Sequence, residues 1–272
     1  MDNIRIHIYH TGKVRVDQAI PLHESNPLAV TGLFRSKAKQ MVLPVSAYLI
    51  IHPKGNILID TGWDTKYAHS RPKQLLGMVD KVSAPIISDD EGIDSKLASA
   101  GLRPEDIDHV FISHMDFDHT SGLRLVKDAK DIRCSEEEWA ACNKLSLRYV
   151  DTWTGICQVK AFAFQESGIG PVGRSCDVFG DGTLLLVHTP GHSHGLFSAM
   201  ICGKNGYIVL GNDAAYLPES FSEHHIPGFT VDKKLAEQSL NWLIQCKNDP
   251  DCLGVYVNHD PTVQELELEV DL

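Results

Sequence analysis

His109-Val110-Phe111-Ile112-Ser113-His114-Met115-Asp116-Phe117-Asp118-His119-Thr120-Ser121-Gly122 is the stretch that decides how this chain is read. The run from His109 to Ile112 has the length and composition of a buried strand. Directly after it, His114, Asp116, Asp118 and His119 fall within six positions. Imidazole nitrogens and carboxylate oxygens together suit zinc, manganese or iron. So many ligand-type residues in one short loop can hold two ions rather than one. The plain alternative is a solvated polar turn at the end of a strand, and the rest of the chain weighs against it.

Four further strand-like runs also end in a histidine or an aspartate. Asn56-Ile57-Leu58-Ile59 leads into Asp60-Thr61-Gly62, and Thr183-Leu184-Leu185-Leu186-Val187 into Thr189-Pro190-Gly191-His192. Tyr207-Ile208-Val209-Leu210 leads into Gly211-Asn212-Asp213, and Gly254-Val255-Tyr256-Val257 into Asn258-His259-Asp260. In layered α/β structures functional loops gather at one end of the sheet. Five such loops therefore imply one shared site.

The ordered set Asp60, His114-x-Asp116-x-Asp118-His119, His192, Asp213 and His259 resembles the metallo-β-lactamase superfamily. The hallmark of that superfamily is His-x-His-x-Asp-His followed by a later His, Asp and His. Leu43-Pro44-Val45, Ile57-Leu58-Ile59-Asp60-Thr61-Gly62, Asp213-Ala214-Ala215-Tyr216, Ile226-Pro227-Gly228-Phe229 and Asn258-His259-Asp260 resemble its N-acyl-homoserine lactonase branch. The similarity runs from about residue 43 to about residue 260. It implies an α/β fold, a four-layer αββα sandwich. It also implies two divalent ions, zinc first. His114, Asp116 and His192 would hold one ion, Asp118, His119 and His259 the other, and Asp213 would bridge them. Asp60 would stand behind the ligands as a hydrogen-bond acceptor. A hydroxide generated by the ions would open a lactone ring, most naturally that of an N-acyl-homoserine lactone, a quorum-quenching activity. Asp118 would carry the proton to the leaving oxygen, and Tyr216 would donate to the developing oxyanion.

One residue departs from the pattern. Asp116 stands where the family has histidine. A carboxylate is harder, shorter and negatively charged, which opens the site to manganese or iron and raises the alternative of a degenerate first site. His194, two positions beyond His192, is another conceivable replacement ligand. His224 and His225 are either substrate contacts or solvated loop residues, and His188 reads as a hydrogen-bonded core histidine. Phe117 should point away from its ligand neighbours and pack inward, or else line an acyl pocket. Trp63, Met78 and Phe34 are further candidates for apolar wall.

Composition sets the outer limits. With 272 residues, 43% hydrophobic and 22% charged, the chain has an ordinary globular make-up. No linker or low-complexity tract divides it, and ligand-bearing segments run from 60 to 259, so one domain over 1–272 is expected. The first residues lack the layout of a signal peptide, and no apolar run approaches the roughly 20 residues of a membrane span. A formal net charge of −11 argues against nucleic acid as a partner and leaves a small-molecule substrate, a lactone or related ester. Seven scattered cysteines without a CxxC pair fit reduced thiols in a cytoplasm. The oligomeric state is not legible.

Elements are expected as follows. Arg5 to Tyr9 alternates as a strand, and Val45 to Ile51 with Asn56 to Asp60 forms a hairpin. Residues 17–40 are an irregular cover and 64–92 a poorly patterned insertion. Ile93 to Ala100 is helical and stops at Gly101. Ser135-Glu136-Glu137-Glu138 has the capping-box pattern and opens a helix to about Lys144. Asp232 to about Cys246 forms another, with Leu235, Ser239, Trp242 and Cys246 on one side.

Two other readings remain at this point. One is a different hydrolase of the same superfamily: a thioesterase, a phosphodiesterase or a β-lactamase. The other is an iron-dependent redox enzyme, because flavodiiron proteins resemble this fold and place a glutamate where Asp116 stands. Those proteins carry an added flavin domain, for which a chain ending at Leu272 has no room.

Overall fold

Alternation along the first strand fixes the layers. A computed structural model describes residues 3–26, 28–70, 82–144 and 148–272. Strand β1 (Asn3–Asp17) turns Ile4, Ile6 and Ile8 to one side. Tyr48 and Ile50 of β2 (Gln40–His52) and Ile57 and Ile59 of β3 (Gly55–Ile59) share that side. Period-2 geometry sends Leu49 and Leu58 to the other face, with Val110 of β5 (His109–Phe111). Each face needs its own cover. The first packs on a second sheet, against Leu184 and Leu186 of β10 (Leu184–His188), Phe197, Ala199 and Ile201 of β11 (Phe197–Gly203), and Ile208 and Leu210 of β12 (Gly206–Asn212). The second packs on Ile93 and Leu97 of helix α1 (Ile93–Ser99), with Leu123 and Val126. The outer face of the second sheet, including Val209 and Val257, is covered by Ala236, Leu240 and Leu243 of the long helix Lys233–Asn248 (α5), which follows the short helix Pro218–Ser222 (α4). At about 1.5–3 kcal/mol per fully buried aliphatic side chain, these three interfaces are the main stabilising term. The result is the expected helix–sheet–sheet–helix sandwich.

The first sheet runs β14-β1-β2-β3-β5-β6-β7, with β4 (Ala84–Ile86) paired to β1. Here β6 is Ile132–Ser135, β7 Val159–Phe162 and β14 Leu266–Asp271. The second runs β13-β12-β11-β10-β9-β8, where β8 is Gln165–Glu166, β9 Arg174–Asp177 and β13 Cys252–Val257. The hairpin β2–β3 is antiparallel, as expected, whereas β3, β5, β6 and β7 are mutually parallel. Parallel strands deliver successive loops to the same edge, and the loops after β3 and β5 carry Asp60 and the His114–His119 cluster.

Several local expectations need adjustment. The first strand continues well past Tyr9, to Asp17. The α5 stripe that faces the sheet is Ala236, Ser239, Leu240, Leu243 and Cys246, so Leu235 and Trp242 sit at its margins. The side chain of Ser135 does cap helix α3 (Glu136–Cys142), accepting from the Glu138 N–H at 3.2 Å. Glu138 does not return the bond to Ser135. Its carboxylate is fully buried and accepts from the backbone N–H of Met115 at 3.0 Å and of Gly195 at 2.9 Å. It therefore joins the loop after β5 to the loop after β10. No helix among the described residues is long and apolar enough to cross a membrane.

Candidate metal centre and its pocket

The loop after β5 enters a single turn of helix, α2 (Phe117–Thr120), with Asp116 at its N-cap. That turn carries Asp118 and His119 close behind His114 and Asp116, and the rings of His114 and His119 lie 4.0 Å apart. The loop is tied to its neighbour: Thr61 N–H and Thr61 Oγ1 both donate to the His119 carbonyl, at 3.0 and 2.8 Å. Gly122 is required at the same seam, since a Cβ there would lie 2.2 Å from the Thr61 carbonyl oxygen. His192 follows Gly191 beyond β10, Asp213 follows β12, and His259 follows β13.

Seven side chains converge. His114, Asp116 and His192 form one group whose donor atoms lie close together, and Asp118, His119 and His259 another. Asp213 lies between them. Its Oδ2 is 3.7 Å from His114 Nε2, 3.7 Å from His192 Nε2 and 3.4 Å from His259 Nε2, and its Oδ1 is 3.4 Å from His119 Nε2. Donors about 2.0–2.1 Å from a tetrahedral ion are about 3.3–3.4 Å from one another. In the first group the donor separations are 3.1, 3.2 and 3.4 Å. In the second, Asp118 is 3.6 Å from His259 Nε2 and 3.9 Å from His119 Nε2.

The histidines are held with Nε2 toward this cluster. His119 Nδ1 pairs with Asp60 Oδ2 at 2.8 Å, and His259 Nδ1 with the Pro44 carbonyl at 2.7 Å. Each contact occupies Nδ1 and leaves Nε2 toward the acidic cluster, where burial is outweighed by the neighbouring carboxylates, which raise both rings while no cation is there, and a divalent ion would take the proton's place. His114 Nδ1 lies 3.0 Å from Ser113 Oγ, and Ser113 in turn donates to Asp60 from its N–H and Oγ, both at 2.7 Å. Asp60 thus stands behind the cluster. His119 Nε2 and Asp213 Oδ1 are buried and make no hydrogen bond. Buried polar atoms without partners are costly, and a divalent cation is a partner that both accept. The residues therefore fit the metal centre that their spacing implies.

Electrostatics agree. Burial alone would push the Asp116 carboxyl up, but the Arg148 charge, with His114 and His192, holds it well below the usual carboxylate range. Burial is likewise outweighed at Asp213, where His259 and His119 hold the carboxyl low. Tyr216 is pushed well above its ordinary value by burial and by Asp213 and Asp118, so its hydroxyl stays protonated. Its ring stacks on His259 at 4.7 Å between centroids and meets His192 edge-on at 5.8 Å.

Above the cluster lies a cavity of about 340 Å³. Its floor is polar: Asp116, Asp118, Arg148, His192, Tyr216 and His259. Its walls are apolar: Val14, Val16, Ile20, Val30, Val82, Phe117 and Phe229. Residues 17–40 do cover the site, through Ile20, Val30 and Thr31. Phe117 both packs inward, against Trp63 and Tyr67, and lines the cavity.

The remaining candidates divide. His194 is exposed and belongs to neither ligand group. Phe34 is fully exposed and forms no wall. Trp63 lies behind Phe117, its Nε1–H donating to the Lys13 carbonyl at 3.1 Å, and does not reach the cavity. His224 is exposed, and His225 is 3.3 Å from Glu223 and does not line the cavity. His188, by contrast, is the hydrogen-bonded core histidine expected, stacked on Phe164 and bonded to the His194 carbonyl at 3.1 Å. Met78 lies outside the described residues. Sequence reasoning missed Arg148 altogether. The one available hint was Asp116 itself: a carboxylate in an enclosed site where the pattern has a neutral ring asks for a nearby cation.

The sequence pattern of the metallo-beta-lactamase superfamily matches residues 41–251 of this chain. The chain belongs to that superfamily. Within it, it falls in the N-acyl-homoserine lactonase-like branch. It is 31% identical over 230 residues to the N-acyl homoserine lactonase AttM of Azorhizobium caulinodans, covering 80% of this chain and 82% of that one. Among solved structures it resembles an N-acyl homoserine lactone hydrolase with the product N-hexanoyl-L-homoserine bound at its catalytic metal centre. That match has a TM-score of 0.75 and 22% identity, over 96% of this chain and 95% of the other. It also resembles AidC, a dizinc quorum-quenching lactonase, with a TM-score of 0.63 and 16% identity over 96% and 89% of the two chains. As a member of this superfamily the protein is a metal-dependent hydrolase.

Proposed function

We propose that this protein hydrolyses the ester bond of lactone rings, with N-acyl-homoserine lactones as the substrate class, and so acts in quorum quenching. The observation that carries the reading is the placement of Tyr216. Its protonated hydroxyl lies on the floor of an apolar-walled cavity, against two ligand groups that share Asp213. A polar floor with apolar walls suits a ligand with a reactive ester head and an aliphatic tail. Relatedness to AttM supports the same class.

His114, Asp116 and His192 would hold one divalent ion and Asp118, His119 and His259 a second, with Asp213 bridging; zinc is the first expectation. When bound, the ions supply Lewis acidity and an activated water near neutral pH. The chain's own residues do the rest. Tyr216 donates to the oxygen that gains charge as the carbonyl is attacked. Asp118, partly open to the cavity, takes the proton from the attacking water and returns it to the ring oxygen as it leaves. Phe117, Phe229 and the valines around them exclude water and hold the acyl chain. The seven free cysteines fit a reducing compartment, and we place the protein in the cytoplasm as one domain acting on a diffusible small molecule.

The test is proton release on ring opening of acyl-homoserine lactones, with a thioester and a β-lactam in parallel and metal analysis of the same preparation. Lactone turnover that a chelator abolishes and zinc restores is expected. Faster turnover of the thioester or the β-lactam would refute the proposal.

A further inference from the structure

Arg148 lies on the donor set of one ligand group. Its side chain is only 8% exposed. Nε donates to Asp116 Oδ1 and Nη2 to Asp116 Oδ2, both at 2.6 Å, and Nη1 donates to the His192 carbonyl at 2.6 Å. Nη2 also lies 2.9 Å from His192 Nε2. Phe229 and Tyr149 flank the guanidinium, at 4.9 and 5.5 Å from its carbon. This is a built, buried cation site, and the guanidinium engages two of the three donors of the His114–Asp116–His192 group, the Asp116 carboxylate at 2.6 Å and His192 Nε2 at 2.9 Å. Asp118, His119 and His259 have no such neighbour among their described contacts.

A lone pair on His192 Nε2 serves one electrophile at a time, an N–H or a metal ion. A buried guanidinium also repels a divalent cation placed on the same donors, and in a water-poor site that repulsion is weakly screened. Asp116 offsets the charge, but its carboxylate is already engaged on both oxygens. We infer that Arg148 competes with metal for the His114–Asp116–His192 group, so that the two half-sites fill in sequence: Asp118–His119–His259 first and tightly, His114–Asp116–His192 second and weakly. At limiting metal the protein then carries one ion, and Arg148 sets the concentration at which the second enters. The inference rests on the two-ion reading above.

The experiment is a zinc titration of the stripped full-length protein against a chromophoric chelator. Two steps separated by at least tenfold in affinity are expected. His192→Ala should remove the weak step alone, and His259→Ala should weaken or abolish the tight one. Arg148→Gln should tighten the weak step tenfold or more, and Arg148→Lys, which keeps the charge, should leave the separation within about threefold of the parent. A purely structural role for Arg148 predicts the opposite, a weaker second step in Arg148→Gln, and that result would overturn the inference. Two equal steps in the parent would also overturn it, even if Arg148→Gln failed to fold, and would leave the lactonase reading intact. A parent that binds no zinc would remove both.

Discussion

Asp60→Asn changes one atom, and its consequences can be worked through bond by bond. Asp60 is fully buried and receives three contacts: Ser113 N–H on Oδ1, and Ser113 Oγ and His119 Nδ1 on Oδ2. Its backbone is left-handed, with φ of 61°, where asparagine is as much at home as aspartate, so the main chain has no reason to move. The new amide has two orientations. With its NH₂ toward Ser113 N–H, two buried donors face each other, costing about 1–3 kcal/mol for the unmade bond. With its NH₂ toward His119, the imidazole must accept at Nδ1 and carry its proton on Nε2. Nε2 is the atom that faces Asp213 and Asp118, and a protonated nitrogen cannot ligate. Both orientations also lose the charge-assisted character of the parent contacts. The expected outcome is a loss of about 2–3 kcal/mol in stability, with zinc affinity of the tight step falling ten- to a hundredfold. Urea unfolding and chelator competition measure the two effects. If Asp60→Asn keeps its zinc affinity within about threefold, tautomer control by Asp60 is not what presents His119 to the site.

Two other substitutions probe different links. Tyr216→Phe should lower kcat and kcat/KM together by roughly ten- to a hundredfold, about 1.4–2.7 kcal/mol, because the hydrogen bond strengthens only as the oxyanion forms; a change confined to KM would assign Tyr216 to binding instead. Gly191→Ala should cost about 2–5 kcal/mol by denaturant unfolding, since φ is +131° and the added Cβ would lie 2.1 Å from Ala236 N at the start of α5. A loss below about 1 kcal/mol would mean that the His192 loop can shift away from that helix.

The candidate ligand set was readable because it sits at strand ends, where an apolar run breaks off into His or Asp. Each of those five runs is a strand, and their loops meet at one cluster. What the sequence hid depends on three-dimensional neighbours. Glu138 looked like a capping residue, because its spacing from Ser135 is right. The tertiary contacts with Met115 and Gly195 outcompeted the local one. Arg148 stands in a stretch with no clear period, so nothing local pointed it at Asp116. The α5 stripe was half right: Ser239 and Cys246 lie on the contact face, but half-buried Leu235 and Trp242 beside it were taken for Ala236, Leu240 and Leu243. Phe34 and His194 looked useful by type, but side-chain chemistry says nothing about direction, and both face solvent.

Each ligand group draws from both sheets. His114 and Asp116 follow β5 of the first sheet, while His192 follows β10 of the second; Asp118 and His119 follow β5, while His259 follows β13. An ion in either group is consequently a rivet through the seam of the sandwich, bound by the closed arrangement and not by the parted one. Anything that binds only the closed form raises the free energy of parting by RT ln(1 + [L]/Kd), about 2.7 kcal/mol at a hundredfold excess over Kd. Stability along this seam and catalytic competence would then respond to the same free-metal concentration. Metal starvation would then loosen the seam between the sheets along with the activity, and backbone amides of β3 and β10 should exchange their hydrogens faster in step.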